Sequence, residues 1–296
     1  MILFSLFVVL GRHVNKKLLS QTRGPVTVFS RHVVLNDFAA ALLAGLPDNF
    51  ELARPVAVIC GIHNNFPRAV YKTHFTIAIQ TEQLLDENAK ALWGLRRPRI
   101  RKTLLKHLWH ADLLLDLSPS NRAAYRWFPR FLQRRLRFGP HIFPQRAADY
   151  VPASSSRAVF IGELNARRTR LLEGLSTEGV DVVSGGLYGP ALYSAIEANT
   201  GIVNIHNEAG VYTEYPRLLL AVNAGKPVFS EPLSKEFLPG QHYFGLQASP
   251  SQTELARVYR NMADLLTREY CFAQFLHRNV DSSSQQRTSD RQMLRP

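Results

Sequence analysis

His206, Asn207, Glu208, Thr213 and Glu214 form a polar cluster inside the otherwise apolar stretch IVNIHNEAGVYTEYPRLLLAVNAGKPVFSE, residues 202–231. An imidazole, two carboxylates, an amide and a hydroxyl so close together can orient hydroxyls, hold an anion or move a proton. The elements around them decide where they stand. Ile202, Val203 and Ile205 carry the β-branched signal of a buried strand, 207–213 reads as a loop, and Glu214 opens a helix whose Leu218, Leu219, Leu220 and Val222 face a core. Gly225 stops that helix, and Lys226-Pro227 launches a second buried strand over 228–231. Such a unit is a βαβ crossover. The carboxyl ends of its strands, beside a helix amino terminus, are where open α/β sheets take phosphorylated ligands. His206 keeps two readings there, a base or a hydrogen-bonded core histidine.

Several chemistries lose support because their motifs are missing. The sequence has no G-x-x-x-x-G-K-[ST], no G-x-S-x-G, no H-E-x-x-H and no complete G-x-G-x-x-G. That speaks against P-loop hydrolysis, α/β-hydrolase chemistry, zincin proteolysis and ordinary dinucleotide binding. An Asp-x-Asp clamp for a metal-bound nucleotide diphosphate is also missing. Cys60 and Cys271 lie far apart with no C-x-x-C pattern, which suggests neither a disulfide framework nor a zinc site and favours a reducing, cytoplasmic setting.

With 296 residues and 46% hydrophobic content, the chain has room for two domains with real cores. The net charge of +13 is concentrated between residues 94 and 137, where twelve Lys or Arg face only Asp112 and Asp116. That segment holds +10, against +3 for the remainder. A field of this kind implies an anionic partner: nucleic acid, an acidic membrane face or a phosphorylated substrate. Trp93, Trp109, Trp127, Phe128 and Phe131 are interleaved with the charges, as suits base stacking or a bilayer interface; the plainer reading is a solvated helix face with aromatics turned inward. The opening run MILFSLFVVL is about half the length of roughly 20 residues that spans a bilayer, and its positive charge follows it, so it reads as a buried strand or docked helix, an interfacial anchor using Lys16 and Lys17, or a processed segment.

Apolar runs at 25–30, 55–60, 74–80 and 111–118 alternate with helix-like stretches at 36–45, 82–93 and 99–109, a pattern of parallel strands. The pattern restarts after Val151-Pro152-Ala153, with strands at 158–162 and 180–184 and helices at 166–178, 190–198 and 251–268. The expected fold is α/β: two Rossmann-like domains with parallel sheets facing a cleft, the first over 1–150, the second over 157–281, then a frayed polar tail over 282–296.

VFIGELNARRTRLLEGLSTEGVDVV, GIVNIH and EYPRLLLAVNAGKPVFSE together resemble the donor-binding domain of bacterial GT-B glycosyltransferases, particularly the spore-maturation type. IAIQTEQL and ADLLLDLSPSNRAAY are similar to segments of the acceptor domain in that group. The resemblance implies transfer of a sugar from a nucleotide diphosphate sugar with no metal or other cofactor. It places Gly162 where the backbone approaches the diphosphate, and Arg168, with Arg167, where a basic side chain holds it. Asn165, Asn207, Glu208, Tyr212, Thr213 and Arg217 complete the implied donor side, and Gln80, Glu82, Ser118 and Asn121 the acceptor side. Glu82, with Gln83, has a structural reading too, as a helix-start residue, and Ser118, Ser120 and Asn121 have one as N-capping residues before a helix over 121–128. His63, Asn64 and Asn65 follow another strand end.

Many retaining members carry two glutamates separated by seven residues; here those positions hold Tyr212 and Leu220. Glu214, with Arg217 three residues on, stands in as the sugar or ribose ligand, or else merely favours its helix amino terminus. Glu214 and His206 are the candidate catalytic groups. The expected function is a cytoplasmic glycosyltransferase, in peripheral contact with the inner membrane face, that serves an anionic or lipid-linked acceptor. The alternatives are a non-catalytic sugar- or nucleotide-binding module and, with less support, a nucleic-acid-binding protein.

Overall fold

The computed structural model describes residues 17–62, 66–72, 74–92, 98–153, 155–176, 179–183 and 187–281. The apolar run at 1–10, His63 to Asn65 and the tail over 282–296 lie outside them.

Two α/β layers of Rossmann-like type follow one another. In the first, β1 (Leu19–Arg23) and β2 (Val26–Ser30) form an antiparallel hairpin, after which β3 (Val56–Cys60), β4 (Phe75–Gln80), β5 (Leu113–Asp116) and β6 (Leu136–Phe138) add in parallel, in sequence order. β3, β4 and β5 are buried throughout, which is why they read as unbroken apolar runs. Helix α1 (Val33–Ala44) follows β2, α2 (Pro98–His110) precedes β5, and the short α3 (Arg130–Gln133) precedes β6.

The second sheet contains β7 (Ala158–Ile161), β8 (Val180–Val183), β9 (Ile202–Asn204), β10 (Val228–Ser230) and β11 (Phe244–Gly245), all parallel, in the order β11-β10-β9-β7-β8. Between these strands lie α4 (Ala166–Ser176), α5 (Pro190–Glu197) and α6 (Tyr215–Asn223). Helix α7 (Gln252–Glu269) starts with a capping box in which Ser251 and Glu254 satisfy each other's amides.

Two helical expectations fail. Residues 82–92 form a loop closed by a bridge between Leu85 and Ala91, not a helix. Asp86 turns its carboxylate onto the amides of Asn88 and Lys90, and Asn121 takes those of Leu84 and Leu85, so amides that a helix needs are already spent. The helix expected over 121–128 is a 3-10 turn, Pro119–Tyr125.

The halves share apolar surface, with one core cluster running from Val28 and Val58 through α1 and α6 to Val159 and Val228. The Asn223 amide donates to the Ala41 carbonyl at 3.1 Å, and the Glu87 amide to the Val211 carbonyl at 3.0 Å. The chain then returns. After α7, Cys271 bridges Phe143, the Phe272 amide donates to the Phe143 carbonyl at 2.9 Å, and α8 (Phe272–Leu276) buries Phe272, Phe275 and Leu276 in the shared core.

Candidate functional site

The first sheet runs in sequence order, but the second reverses: from β7 the chain moves outward to β8, then comes back to β9 on the other side of β7. Loops leaving the carboxyl ends of β7 and β9 therefore diverge from one point, the position at which open α/β sheets form a ligand crevice. Those loops carry Gly162 and Asn165 on one side and the 205–214 cluster on the other. The Asn165 amide donates to the Asn207 backbone and side-chain carbonyls at 2.9 and 3.0 Å, and its oxygen accepts the Arg168 amide at 2.9 Å. The two turns are thus stitched together.

Three guanidinium groups converge here. Arg167 donates to the His206 carbonyl at 2.9 Å and forks onto both carboxylate oxygens of Glu231. Arg168, 5% exposed, reaches the Ile205 and Glu163 carbonyls at 3.0 Å and Glu214 at 3.1 Å. Arg217 bonds the other Glu214 oxygen at 2.7 Å and the Asn204 side chain. Gly162, at φ +154°, is where these groups press on the strand turn: a Cβ there would lie 3.3 Å from Arg217 Nη2 and 3.8 Å from Arg168 Nη1. Arg168 and Arg217 also lie over the Phe160 ring, at 5.6 and 5.7 Å.

The electrostatics follow from burial and pairing. Desolvation holds Arg168 below the ordinary guanidinium value, opposed by Glu214, whereas the hydrogen bonds that Arg167 donates to Glu231 raise Arg167. Burial pushes Glu231 upward, but Arg167 and the His206 amide outweigh it, and the carboxyl ends below its usual range. Both carboxylates of the cluster are therefore engaged.

His206 is fully buried. Its Nδ1 meets only the Gly210 carbonyl, at 3.1 Å, so that nitrogen carries the proton and Nε2 keeps a lone pair without a partner. Burial lowers its pKa, so the ring stands neutral. It stacks on Tyr212 at 4.1 Å between centroids. The Tyr212 hydroxyl accepts the Glu208 amide at 3.1 Å and donates to the Glu208 carbonyl at 3.2 Å, and burial raises the phenol to about 12. Thr213 is buried on Ser234, with the hydroxyls 3.0 Å apart. Leu220, half-buried, packs against the shared core. Glu214 is the N-cap residue of α6, but it makes no capping bond with its side chain.

The four acceptor-side residues sit together at the carboxyl ends of β4 and β5, mostly turned inward. Asn121 is fully buried: its oxygen holds the amides of Leu84 and Leu85, and its nitrogen donates to Asp116 and to the Glu82 carbonyl. The Ser118 hydroxyl makes no cap; it joins Gln83 and Ser120, both at 2.8 Å. The Gln80 oxygen accepts the Glu82 amide at 3.3 Å while its buried nitrogen has no partner. Glu82 itself is half-exposed. Beneath them lies Asp116, which burial pushes up to about 7 although Tyr125, Ser118 and Asn121 all donate to it.

Sequence reasoning missed Glu231, Asn204 and Asp116 as members of these networks. The available signal was sheet adjacency: Ser230 pairs with Asn204, so a polar residue just past β10 must meet one just past β9. A cavity of about 630 Å³ opens one strand further out, between α4 and the 239–248 loop, and is lined by Arg170, Leu171, Tyr243 and Leu246. It shares Glu231 with the guanidinium cluster, but neither Arg168 nor Arg217 lines it. Among the described residues, no group of three or more His, Cys, Asp or Glu is placed to hold a metal ion, and no helix is long and apolar enough to cross a membrane.

No protein-family model and no curated protein sequence matches the chain. Among solved structures it is similar to accessory secretory protein 1, 2 and 3 of Streptococcus pneumoniae, at 12% identity over 76% of this chain and 52% of that one, with a TM-score of 0.41. It is also similar to Anabaena Alr3699/HepE in complex with UDP-glucose (10% identity, 85% of this chain and 82% of that one, TM-score 0.40). A third likeness is to the GtfA/B complex (11%, 79% and 57%, TM-score 0.37). The chain spans about half the length of the first and third of these structures.

Proposed function

We propose that the chain is a glycosyltransferase of the two-sheet type that binds a nucleotide diphosphate sugar where β7 and β9 part. The observation that carries this reading is the gathering of three guanidinium groups, Arg167, Arg168 and Arg217, at the strand-order reversal of the second sheet. With two carboxylates and a neutral imidazole among them, the cluster keeps a surplus positive charge. A diphosphate that departs with growing negative charge is stabilised by such groups and by the uncapped amino terminus of α6. Cation charge of this kind supports transfer without a metal. Gly162 and Asn165 shape the turn, and Asn207, Glu208, Tyr212 and Thr213 close the donor side.

In this reading His206, with its unspent Nε2 lone pair, takes the proton of the incoming hydroxyl, and Glu214 orients the sugar. The basic first half faces an anionic or lipid-linked acceptor, with Glu82 at the edge of the buried Gln80, Ser118 and Asn121 network. Isothermal titration with uridine, guanosine and thymidine diphosphates, with and without chelator, tests the donor site. Absence of binding at millimolar nucleotide defeats the proposal.

Two observations favour a second reading, binding without turnover: both Glu214 oxygens are already held by guanidinium groups, and His206 is sealed beneath Tyr212. Release of free sugar or a glycosylated product from a bound donor decides against it.

A further inference from the structure

The basic first half carries a surface feature that the donor site does not use. Among the described residues, the three most exposed Trp, Tyr or Phe side chains belong to one neighbourhood: Trp109 at 59%, Phe131 at 55% and Trp127 at 46%. Trp109, at the end of α2, meets Phe131 of α3 edge-on at 6.0 Å between centroids. Trp127 lies beside α2 as well, with the Arg101 guanidinium 5.8 Å from its ring centroid. The three rings therefore flank a single ridge.

Exposed cations surround them. Arg101 and Lys102 project from α2, and Arg122, Arg126, Arg130 and Arg134 recur at every fourth residue of the following segment. The two acidic residues of this stretch do not offset them at the surface. Asp116 is fully buried on Tyr125 and Asn121, and Asp112 accepts the Thr76 amide at 2.9 Å.

We propose that this aromatic and basic ridge, α2 with residues 119–134, docks on the anionic face of a lipid bilayer. Amphipathic rings at the headgroup level and arginines on acidic headgroups are the two elements that surface needs. Charge complementarity picks an anionic partner, and ring geometry picks the bilayer over single-stranded nucleic acid. Base stacking needs an uncovered ring face, whereas Trp127 has Phe128 against it at 3.9 Å and the Arg101 guanidinium over it. Insertion between headgroups needs only exposed apolar edges. The proposal neither requires nor supports nucleotide binding, because it uses none of the guanidinium groups at β7 and β9.

The test is co-sedimentation of the full chain with vesicles of phosphatidylcholine alone or mixed with phosphatidylserine, alongside a single-stranded DNA oligonucleotide at the same salt. Binding to the phosphatidylserine vesicles, weak on phosphatidylcholine and falling with salt, is expected. Each basic residue near an acidic leaflet contributes about a five-fold factor, so the triple change R126A/R130A/R134A should weaken binding about 100-fold. W109A/F131A, which removes exposed rings, should reduce binding while leaving the melting temperature and nucleotide titration unchanged. The proposal is overturned by no sedimentation with phosphatidylserine, by binding that both variants retain, or by an oligonucleotide that binds while vesicles do not.

Discussion

Glu214 joins two arginines that are nearly out of solvent, and replacing it by glutamine tests whether the cluster is an anion site or only a structural knot. Breaking a buried ion pair costs about 3–5 kcal/mol when the remaining charge has no escape. The Glu214 side chain is 22% exposed, against 6% and 12% for Arg168 and Arg217, so water reaches one edge of the cluster. We expect a loss of about 2–3 kcal/mol, which in a chain of this size lowers the melting temperature by roughly 5–10 °C. The same change removes one negative charge from a set of three guanidinium groups and two carboxylates, so the attraction for a diphosphate rises. Melting curves of wild type and Glu214→Gln should be recorded with increasing pyrophosphate and with each nucleoside diphosphate. The variant should start lower and recover more steeply, since ligand now supplies the charge that the carboxylate supplied. Equal stability and no added anion response would refute the reasoning, because Arg168 and Arg217 could not then depend on Glu214.

Other consequences are directly measurable. Arg168→Ala should weaken nucleotide diphosphate binding by tenfold or more by titration, whereas unchanged affinity removes the residue from the site. Gly225→Ala should destabilise by about 2–4 kcal/mol in denaturant melts, since φ is +67° and the new Cβ would lie 2.2 Å from the Asp149 carbonyl oxygen. His206 is held below its ordinary 6.5 by burial, with Glu214 and Glu231 opposing and Arg217 assisting. The unfolded chain therefore takes up a proton that the folded chain refuses, and stability falls as pH drops below about 6.5. His206→Gln should flatten that slope between neutral and mildly acid pH, and an unchanged slope would assign it to other groups.

The sheets were largely legible because β2 to β5, β7, β9 and β10 lie inside them and read as apolar runs, and β8, at an edge, still shows its β-branched VDVV. What escaped notice were the other three edge strands. β1 is LSQTR with alternating exposure, β6 has three residues and β11 two, and none carries a hydrophobic signature. The 82–93 stretch, EQLLDENAKALW, has helical spacing, yet Asp86 and Asn121 outbid the helix for its amides and Ala89 adopts φ +59°. Within the site, Glu214 and Arg217 were visible from local pattern, and Arg168 from the family resemblance. Glu231 was not, since its partner Arg167 lies 64 residues away and only the adjacency of β9 and β10 brings them together. Burial was equally invisible: nothing in the types of Asn121 or Ser118 says that a loop closes over them.

The late return of the chain through Cys271 and Phe272 onto Phe143 bears on how the molecule comes apart. Part of the apolar filling beneath the amino-terminal layer is supplied by residues near 275, and α1 rests on α6, so neither layer can melt without stripping the other. Calorimetry should show one cooperative transition. A backbone cut near residue 153 should yield two fragments that reassociate on mixing, each being an incomplete core without its counterpart.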